Sequence, residues 1–334
     1  MKAIKQVLPL AGFMIYIFGN AQNILPRSIN DSMVFIESSE VNYQKVIPHF
    51  DYESSGLLSM ADNLTEVYLR NTEGLPTSPL KNYNLDALND LPWRGKKAAV
   101  ILTYDDALNV HLDNAVPLLD SLNMKGTFYV STNSEAFRHR LQEWKSIAEN
   151  GHELANHTIF HPCIGKENRP WVNPNYDMST YTVERMVDEI RINNTLLEAL
   201  DGKKERTFAY TCGDFRVNGD DFFINELKDE LVAARAVRSE MHTIEQVNLY
   251  NMDSYAIVDT TGEEMIEMVK KAVETNSLLI FLFHGVGGEH SMNVSLSAHK
   301  KLLKYLKQHE SEVWTAPLID VAKNVKAYQS EIKR

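Results

Sequence analysis

The sequence is poor in cysteine, in excess positive charge and in long apolar runs. Only Cys163 and Cys212 occur among 334 residues, which is too few for a disulfide-stapled scaffold. Because sequence spacing does not define disulfide geometry, we expect two unpaired, buried thiols rather than one bridge. The formal net charge of -11 argues against nucleic acid as a partner, since binding phosphates requires a basic face.

The apolar run at the beginning of the chain, Val7–Phe18, is too short to serve as a permanent membrane anchor. It follows Lys2 and Lys5 and precedes the small residues of segment 19–21. This order is typical of an export signal, so we predict a signal peptide over residues 1–21 and a periplasmic or secreted protein. No cysteine follows the run at once, so the usual attachment point of a bacterial lipoprotein is missing.

The composition, with 44% apolar and 24% charged residues, is that of a globular protein with an ample core. The length suggests one large domain with an extension. Residues 22–95 show no strong period, and we assign them to an N-terminal extension of unknown role. A turn-like cluster at residues 92–95 marks the boundary. From residue 96 to residue 334, strand and helix patterns alternate, which predicts a parallel sheet closed or nearly closed into a barrel.

The predicted elements of this second part follow from the apolar periods and the helix stop signals. Strands are predicted over 98–104, 126–131, 152–156, 206–211, 231–237 and 278–283, and helices over 109–123, 138–150, 182–200, 220–229, 262–275 and 295–308. A final strand and helix are predicted within 312–327.

The run Ala98–Ala107 ends in two adjacent carboxylates, Asp105 and Asp106. Its apolar part is typical of a strand buried on both faces, and the carboxyl ends of such strands commonly carry chemistry. Two neighbouring carboxylates repel each other unless a cation neutralises one of them. Asp106 is also suited to cap the helix that follows, and the strand alone does not decide between capping and catalysis.

Three histidines extend the pattern. His157 and His161 are four residues apart, so they face the same way if their segment is a helical turn. Together with Asp106 they form a set suited to zinc, with open positions for water and substrate. His284 ends another wholly apolar strand, which favours a functional role over a structural one.

Four motifs in order closely resemble the polysaccharide deacetylases of the NodB-homology type, carbohydrate esterase family 4. The matching pieces are Thr103–Asp106 (TYDD), His157–His161 (HTIFH), Phe208–Gly213 (FAYTCG) and Leu282–His284 (LFH). The resemblance extends from about Lys97 to about Tyr328. It implies a distorted (β/α) barrel with about seven βα units.

The resemblance also implies residue roles. Asp106, His157 and His161 would hold a divalent metal, with zinc preferred and cobalt or nickel also accepted. Asp105 would be the general base towards water, and His284 would protonate the leaving group.

The third and fourth motifs depart from the family pattern. Relatives often carry an arginine that tethers the base where this chain has Ala209, and the Asp and Trp that steer the acid histidine have no clear match. We hypothesise that Arg235 or Arg238 supplies the missing charge. Tyr210 and Cys212 fall at the expected oxyanion and substrate positions, with the backbone N–H of Cys212 as the donor.

The sequence therefore predicts an exported, metal-dependent hydrolase that removes N- or O-linked acetyl groups from an oligo- or polysaccharide. Two alternatives remain open: a hydrolase of the same fold acting on a non-sugar amide, and a catalytically silent carbohydrate-binding protein. Trp171 and Tyr176 either stack on a sugar ring or anchor their loop, and His290 and His299 are interpreted as surface residues. The sequence carries no signal of oligomeric state.

Overall fold

The structure is a computed structural model that describes residues 92–219 and 222–332 together with four strands of the N-terminal part. It divides into two compact units, residues 1–91 and residues 92–334. The strands of the first unit are β1 (Ile4–Leu10), β2 (Phe13–Gly19), β3 (Asp31–Ser38) and β4 (Leu64–Asn71). They form one sheet in chain order, in which only β2 and β3 run parallel. The export signal and the role of residues 22–95 stay predictions.

The second unit alternates strands and helices. Its strands are β5 (Ala98–Asp105), β6 (Thr127–Val130), β7 (Glu153–Asn156), β8 (Arg206–Ala209), β9 (Leu231–Arg235), β10 (His242–Thr243), β11 (Tyr255–Ala256), β12 (Ser277–Phe283), β13 (Gly285–Val286), β14 (Asn293–Val294) and β15 (Val313–Thr315). Its helices are α1 (Val116–Ser121), α2 (Glu135–His139), α3 (Leu141–Glu149), α4 (Val183–Asp201), α5 (Gly262–Glu274), α6 (Leu296–Gln308) and α7 (Leu318–Ile332). Among these described helices, none has the length and apolar character that crossing a membrane requires.

The sheet is curled and almost entirely parallel. Strands β12, β5, β6, β7, β8 and β9 lie side by side in that order, and β15 pairs with the first residues of β5. The irregular segment that contains Met252 connects the two outer strands of this row, β9 and β12. The N–H of Met252 donates to the carbonyl of Ala234 of β9. A few residues later in the chain, β11 pairs with β12. The predicted barrel-like α/β architecture is confirmed, as an open, curled sheet.

Alternation along β5 separates two cores. Val100 and Leu102 belong to the outer core, between the sheet and the helices, whereas Ala99 and Ile101 belong to the inner core, which also includes Leu318 of α7. Because side chains in a strand alternate between faces, Asp105 continues the inner set.

Two predicted helices have a different form in the structure. The segment predicted as one helix over 109–123 is a π-helical turn, His111–Ala115, followed by α1. Of the segment predicted over 220–229, residues 220 and 221 lie outside the described residues, and the rest contains a 3₁₀ turn, Phe223–Leu227, without a side-chain cap. An uncapped helical segment this short is marginal, and its burial rather than its propensity decides its form.

Asn193 of α4 supports the carboxyl ends of two strands. Its buried Nδ2 donates to the carbonyl of Val130 at 3.1 Å and to Oδ1 of Asn156 at 3.0 Å. The fold therefore fixes the point where the loop that carries His157 begins.

We expect Asn193→Ala to lower the free energy of unfolding by about 1–3 kcal/mol, because a buried carbonyl loses its donor. Ile192→Ala is the matched control, since this neighbour on α4 is 53% exposed and should change stability by less than about 0.5 kcal/mol. Urea unfolding followed by tryptophan fluorescence measures both variants, and equal stabilities would contradict this role of Asn193.

Candidate active site

The two carboxylates at the end of β5 face one cavity. Asp106 and Ala107 have φ angles of +77° and +54°, so the chain reverses here and both Asp105 and Asp106 line a cavity of about 930 Å³. Left-handed backbone at residues other than glycine is strained and is often found at functional sites. Asp106 does not cap the helix that follows, because the helical turn begins at His111 with Val110 at its N-cap position.

The histidine pair lies on a loop rather than on the helical turn that the spacing suggested. Thr158 and His161 have φ angles of +63° and +52°. The N–H of Thr158 donates to Oδ1 of Asn156 at 2.7 Å, and the N–H of His161 donates to the Thr158 hydroxyl at 2.9 Å. Side chain to backbone hydrogen bonds of this kind stabilise tight turns. They fold the loop so that both imidazoles line the cavity.

Asp106, His157 and His161 come together with their potential ligand atoms within 4.8 Å of one another. Oδ1 of Asp106 lies 3.5 Å from Nε2 of His157 and 3.2 Å from Nε2 of His161. His157 donates its Nδ1–H to the carbonyl of Ala209 at 2.9 Å, so its Nε2 carries the lone pair that faces Asp106. A ligating histidine is commonly oriented by such a bond from its other nitrogen.

Charge and burial at these residues suit a divalent cation. Oδ1 of Asp106 is buried and has no hydrogen-bond partner among the described residues. Burial raises the pKa of Asp106, but the imidazoles of His161, His157 and His284 outweigh it and hold the pKa well below the usual range. Burial lowers the pKa of His161, which favours a neutral, ligating imidazole. One carboxylate and two imidazoles fit zinc, cobalt or nickel.

A second group of metal-type side chains, Glu240, His242 and Asp253, already contains a cation. Arg238 lies 3.1 Å from Oδ2 of Asp253 and 3.3 Å from Oε2 of Glu240. Its guanidinium neutralises these carboxylates, so the first group is the better metal site.

Asp105 is paired with Arg235, a residue of β9. The Arg235 side chain is fully buried, and its Nη2 donates to Oδ2 of Asp105. Arg235 is the register partner of Ala209 on the parallel strand β8, so the two side chains point to the same face of the sheet. The small Ala209 leaves room there. Arg235, one strand away from Ala209, thus supplies the positive charge beside Asp105, as hypothesised from the sequence.

Arg238 lies elsewhere, with a side chain 63% exposed and paired with Asp253. Of the two candidate arginines, the structure brings only Arg235 to Asp105. The guanidinium of Arg235 also lies 4.9 Å from the centroid of the Tyr129 ring. Oδ1 of Asp105 is buried and has no hydrogen-bond partner among the described residues, so it is free to accept a proton.

We expect Arg235→Ala to lower the rate of deacetylation by about 100-fold or more, because general-base catalysis contributes about this much. It should also destabilise the fold by about 3–5 kcal/mol, since a buried carboxylate loses its partner. Arg238→Ala is the matched control and should change the rate less than twofold. The double variant Arg235→Ala/Ala209→Arg should recover part of the rate. An Arg235→Ala variant as fast as Arg238→Ala and the unchanged protein would contradict the pairing.

His284 follows β12 directly and lies beside the metal-type residues. Its Nε2 is 3.8 Å from Oδ2 of Asp106. Burial lowers the pKa of His284, while the carboxylates of Asp105 and Asp106 act in the opposite direction. Asp106 thus lies between His284, near its Oδ2, and His157 and His161, near its Oδ1, and all four residues line the cavity.

His111 joins the loop after β5 to the end of β12. Its Nε2–H donates to the carbonyl of His284 at 2.7 Å, and its Nδ1 accepts from the N–H of Leu108 at 3.2 Å. The ring is fully buried, and burial lowers the pKa of His111 to about 4. A neutral His111 therefore ties the loop after Asp106 to the backbone of His284.

The expectation of two free thiols is wrong. Cys163 and Cys212 form a disulfide, with their Cα atoms 5.8 Å apart. Sγ of Cys163 lies 3.6 Å from Nδ1 of His161, and Cys212 has a φ angle of +55° in the turn Thr211–Gly213. The folded loop after His161 brings the two sulfurs together across a separation of 49 residues, which the sequence spacing could not indicate. The bond joins the loop of His161 to the turn of the predicted oxyanion donor.

Reduction of the disulfide should lower kcat, with a smaller effect on metal content, because the turn of Cys212 loses its link to the loop of His161. We expect a loss of about tenfold or less, less than the loss of a whole oxyanion donor. Activity and bound metal are measured before and after a dithiol reductant and again after reoxidation. The double variant Cys163→Ser/Cys212→Ser should have the kcat of the reduced protein, and reductant should not change it. Full activity in this variant would contradict the positioning role.

Tyr210 and two further aromatic residues complete the description of the predicted substrate region. Tyr210 lines the cavity, and its hydroxyl donates to the carbonyl of Tyr250 at 2.8 Å. Trp171 also lines the cavity and is 63% exposed. Tyr176 stacks on Phe160 with ring centroids 4.7 Å apart, so it anchors the loop.

Two histidines were placed wrongly by the sequence interpretation. His299 is fully buried and hydrogen-bonded to the hydroxyl of Tyr104 at 2.8 Å. Its helical spacing to Leu302, Leu303 and Leu306 was the signal that places it on the buried face of α6. His290 lines the cavity and stacks on His284. The sequence signal for the position of His290 is the Gly287-Gly288 pair, which permits a turn after β12 that brings His290 to the cavity.

The fold and site together define an α/β domain with a curled parallel sheet and an Asp-His-His group at the carboxyl ends of its strands. Residues 94–222 match the polysaccharide deacetylase family. The family resemblance predicted from the motifs is confirmed by this match. It includes Asp105, Asp106 and the histidine pair, and it ends before Arg235 and His284.

The chain is also similar to individual proteins and solved structures. A candidate polysaccharide deacetylase from Mycobacterium smegmatis has the same fold, with a TM-score of 0.52 and 13% identity over 70% of this chain and 92% of that chain. The chain is 32% identical over 108 residues to the uncharacterized protein YlxY of Bacillus subtilis, a match that covers 32% of this chain but only 29% of YlxY. A carbohydrate esterase family 4 pseudoenzyme from Bacillus anthracis, BA3943, is similar at 17% identity over 68% of this chain and 66% of that chain, with a TM-score of 0.44.

Proposed function

We propose that the protein is an exported, metal-dependent hydrolase that removes acetyl groups from an acetylated oligo- or polysaccharide. The observation that carries this proposal is the buried, unpartnered Oδ1 of Asp106 between the Nε2 atoms of His157 and His161. A carboxylate oxygen in that position would be costly without a cation. The neighbouring Asp105 and His284 then provide a base and an acid beside one cation.

Asp106, His157 and His161 would hold the metal. A bound divalent cation supplies Lewis-acid polarisation of the acyl oxygen and makes water more acidic. Asp105 is the general base: Arg235 holds its Oδ2, and its Oδ1 takes a proton from the attacking water. Because Arg235 is permanently charged, it pairs with the Asp105 carboxylate and orients it.

His284 donates a proton to the leaving amine or alcohol as the tetrahedral intermediate collapses. The backbone N–H of Cys212, in a turn fixed by the disulfide, supports the developing oxyanion. The cavity volume of about 930 Å³ accommodates a substituted sugar ring, and Trp171 offers an aromatic surface at the rim for it.

The test is acetate release from acetylated xylan and from N-acetylated chitin oligomers. We expect turnover that a chelator abolishes and that zinc, cobalt or nickel restores. Metal binding should weaken as the pH falls below about 6.5, the ordinary imidazole value, because protonated histidine cannot act as a ligand. Because the pKa of His161 is lowered, the metal site should stay fully occupied at pH values somewhat below about 6.5.

Asp105→Asn is the matched control: it should retain the metal and lose turnover, whereas His161→Ala should lose both. Release of a product other than acetate would favour the non-sugar amide reading. Sugar binding by metal-loaded protein without any turnover would favour the silent carbohydrate-binding protein, and absence of metal binding at neutral pH would overturn the proposal itself.

A further inference from the structure

We infer that His290 is a positioning residue for the acid His284. Its ring stacks on the His284 ring and orients it in place of a side-chain hydrogen bond. The inference rests on the proposed function, in which His284 protonates the leaving group. The two rings are nearly parallel, with an angle of 14° between their planes and 4.7 Å between their centroids. This is the separation of a stacked aromatic pair.

His284 has little other side-chain support. Its Nδ1 is buried and has no hydrogen-bond partner among the described residues, and its Nε2 lies 3.8 Å from Asp106, beyond hydrogen-bond distance. The face of His290 is therefore the contact that fixes the plane of the His284 ring.

His290 is itself held by its loop. The N–H of Met292 donates to Nδ1 of His290 at 3.0 Å, which fixes the orientation of the His290 ring. The ends of the loop are joined where Gly285 donates to the carbonyl of Met292 at 3.0 Å and where Gly288 donates to Oδ1 of Asn293 at 2.9 Å.

A further pair of contacts fixes the middle of the loop to the catalytic loop after Asp106. The Glu289 carboxylate accepts from the N–H of Val110 at 2.7 Å and from Nδ2 of Asn109 at 2.8 Å. These bonds leave the backbone beside His290 little freedom. A rigid loop that presents one ring face to His284 restricts rotation of the acid about its side-chain bonds, as positioning requires.

The leaving group distinguishes positioning from a structural role. An amine or alkoxide must be protonated as it departs, whereas nitrophenolate leaves without a proton. Loss of the stack should therefore slow hydrolysis of an N-acetylated chitin oligomer and spare p-nitrophenyl acetate. A residue that only stabilises the fold would affect both substrates alike.

The experiment compares His290→Ala with His290→Phe in the metal-loaded full chain. For the alanine variant we expect kcat on the chitin oligomer to fall about tenfold or more, less than complete loss of general-acid catalysis, with KM changed less than twofold. Hydrolysis of p-nitrophenyl acetate should change less than twofold. The phenylalanine variant, which keeps a flat ring, should recover most of the loss. His309→Ala is the matched control, because His309 also stacks, on Tyr305 at 3.9 Å, away from the cavity.

Equal losses on both substrates, an unchanged kcat in His290→Ala, or a phenylalanine variant as slow as the alanine variant would each overturn the inference. A wild-type protein that binds metal but hydrolyses neither substrate, and that releases no acetate from acetylated xylan, would overturn the proposed function, and with it any acid for His290 to support. A wild type active on both substrates, with no selective effect in His290→Ala, would overturn the role of His290 alone.

Discussion

Two adjacent carboxylates at the end of a buried strand require positive charge from two different sources. Asp105 and Asp106 lie side by side, and in a poorly solvated cavity their repulsion would favour protonation of one of them. Arg235 neutralises Asp105 directly. Asp106 faces imidazoles, and burial lowers the pKa of the nearest one, His161. The negative charge of Asp106 is therefore available to a cation that binds between Asp106 and the two histidines. The other residues of the site lie around this position.

The position of Arg235 shows that residues far apart in the sequence can complete a charge pair. Ala209 and Arg235 are register partners on neighbouring parallel strands, so their side chains point to the same face of the sheet, and the guanidinium of Arg235 reaches Asp105. Arg235 lies beyond residue 222, where the match to the polysaccharide deacetylase family ends. A comparison restricted to the family motifs would therefore describe the base as unsupported, although the pair is complete in three dimensions.

Much of the site follows from local sequence signals. The apolar run of β5 and its terminal carboxylates, and the run of β12 with its terminal histidine, place Asp105, Asp106 and His284 at one edge of the sheet. The remaining features depend on contacts between distant segments. The Cys163–Cys212 bond spans 49 residues, and the loop that returns His290 to His284 is held by Glu289 through contacts with residues about 180 positions earlier. The spacing of apolar residues along the sequence does not indicate such contacts. The histidine pair faces one cavity without the helical turn that was one way to bring it there, because hydrogen bonds accepted by the side chains of Asn156 and Thr158 fold a loop.

A crystal of the full chain grown with zinc tests the central claim most directly, by anomalous diffraction at the zinc absorption edge. The account predicts one strong peak bounded by an oxygen of Asp106 and the Nε2 atoms of His157 and His161, at about 2.0–2.2 Å from each ligand atom. A peak at Glu240, His242 and Asp253 instead, or zinc density without Asp106 as a ligand, would contradict it.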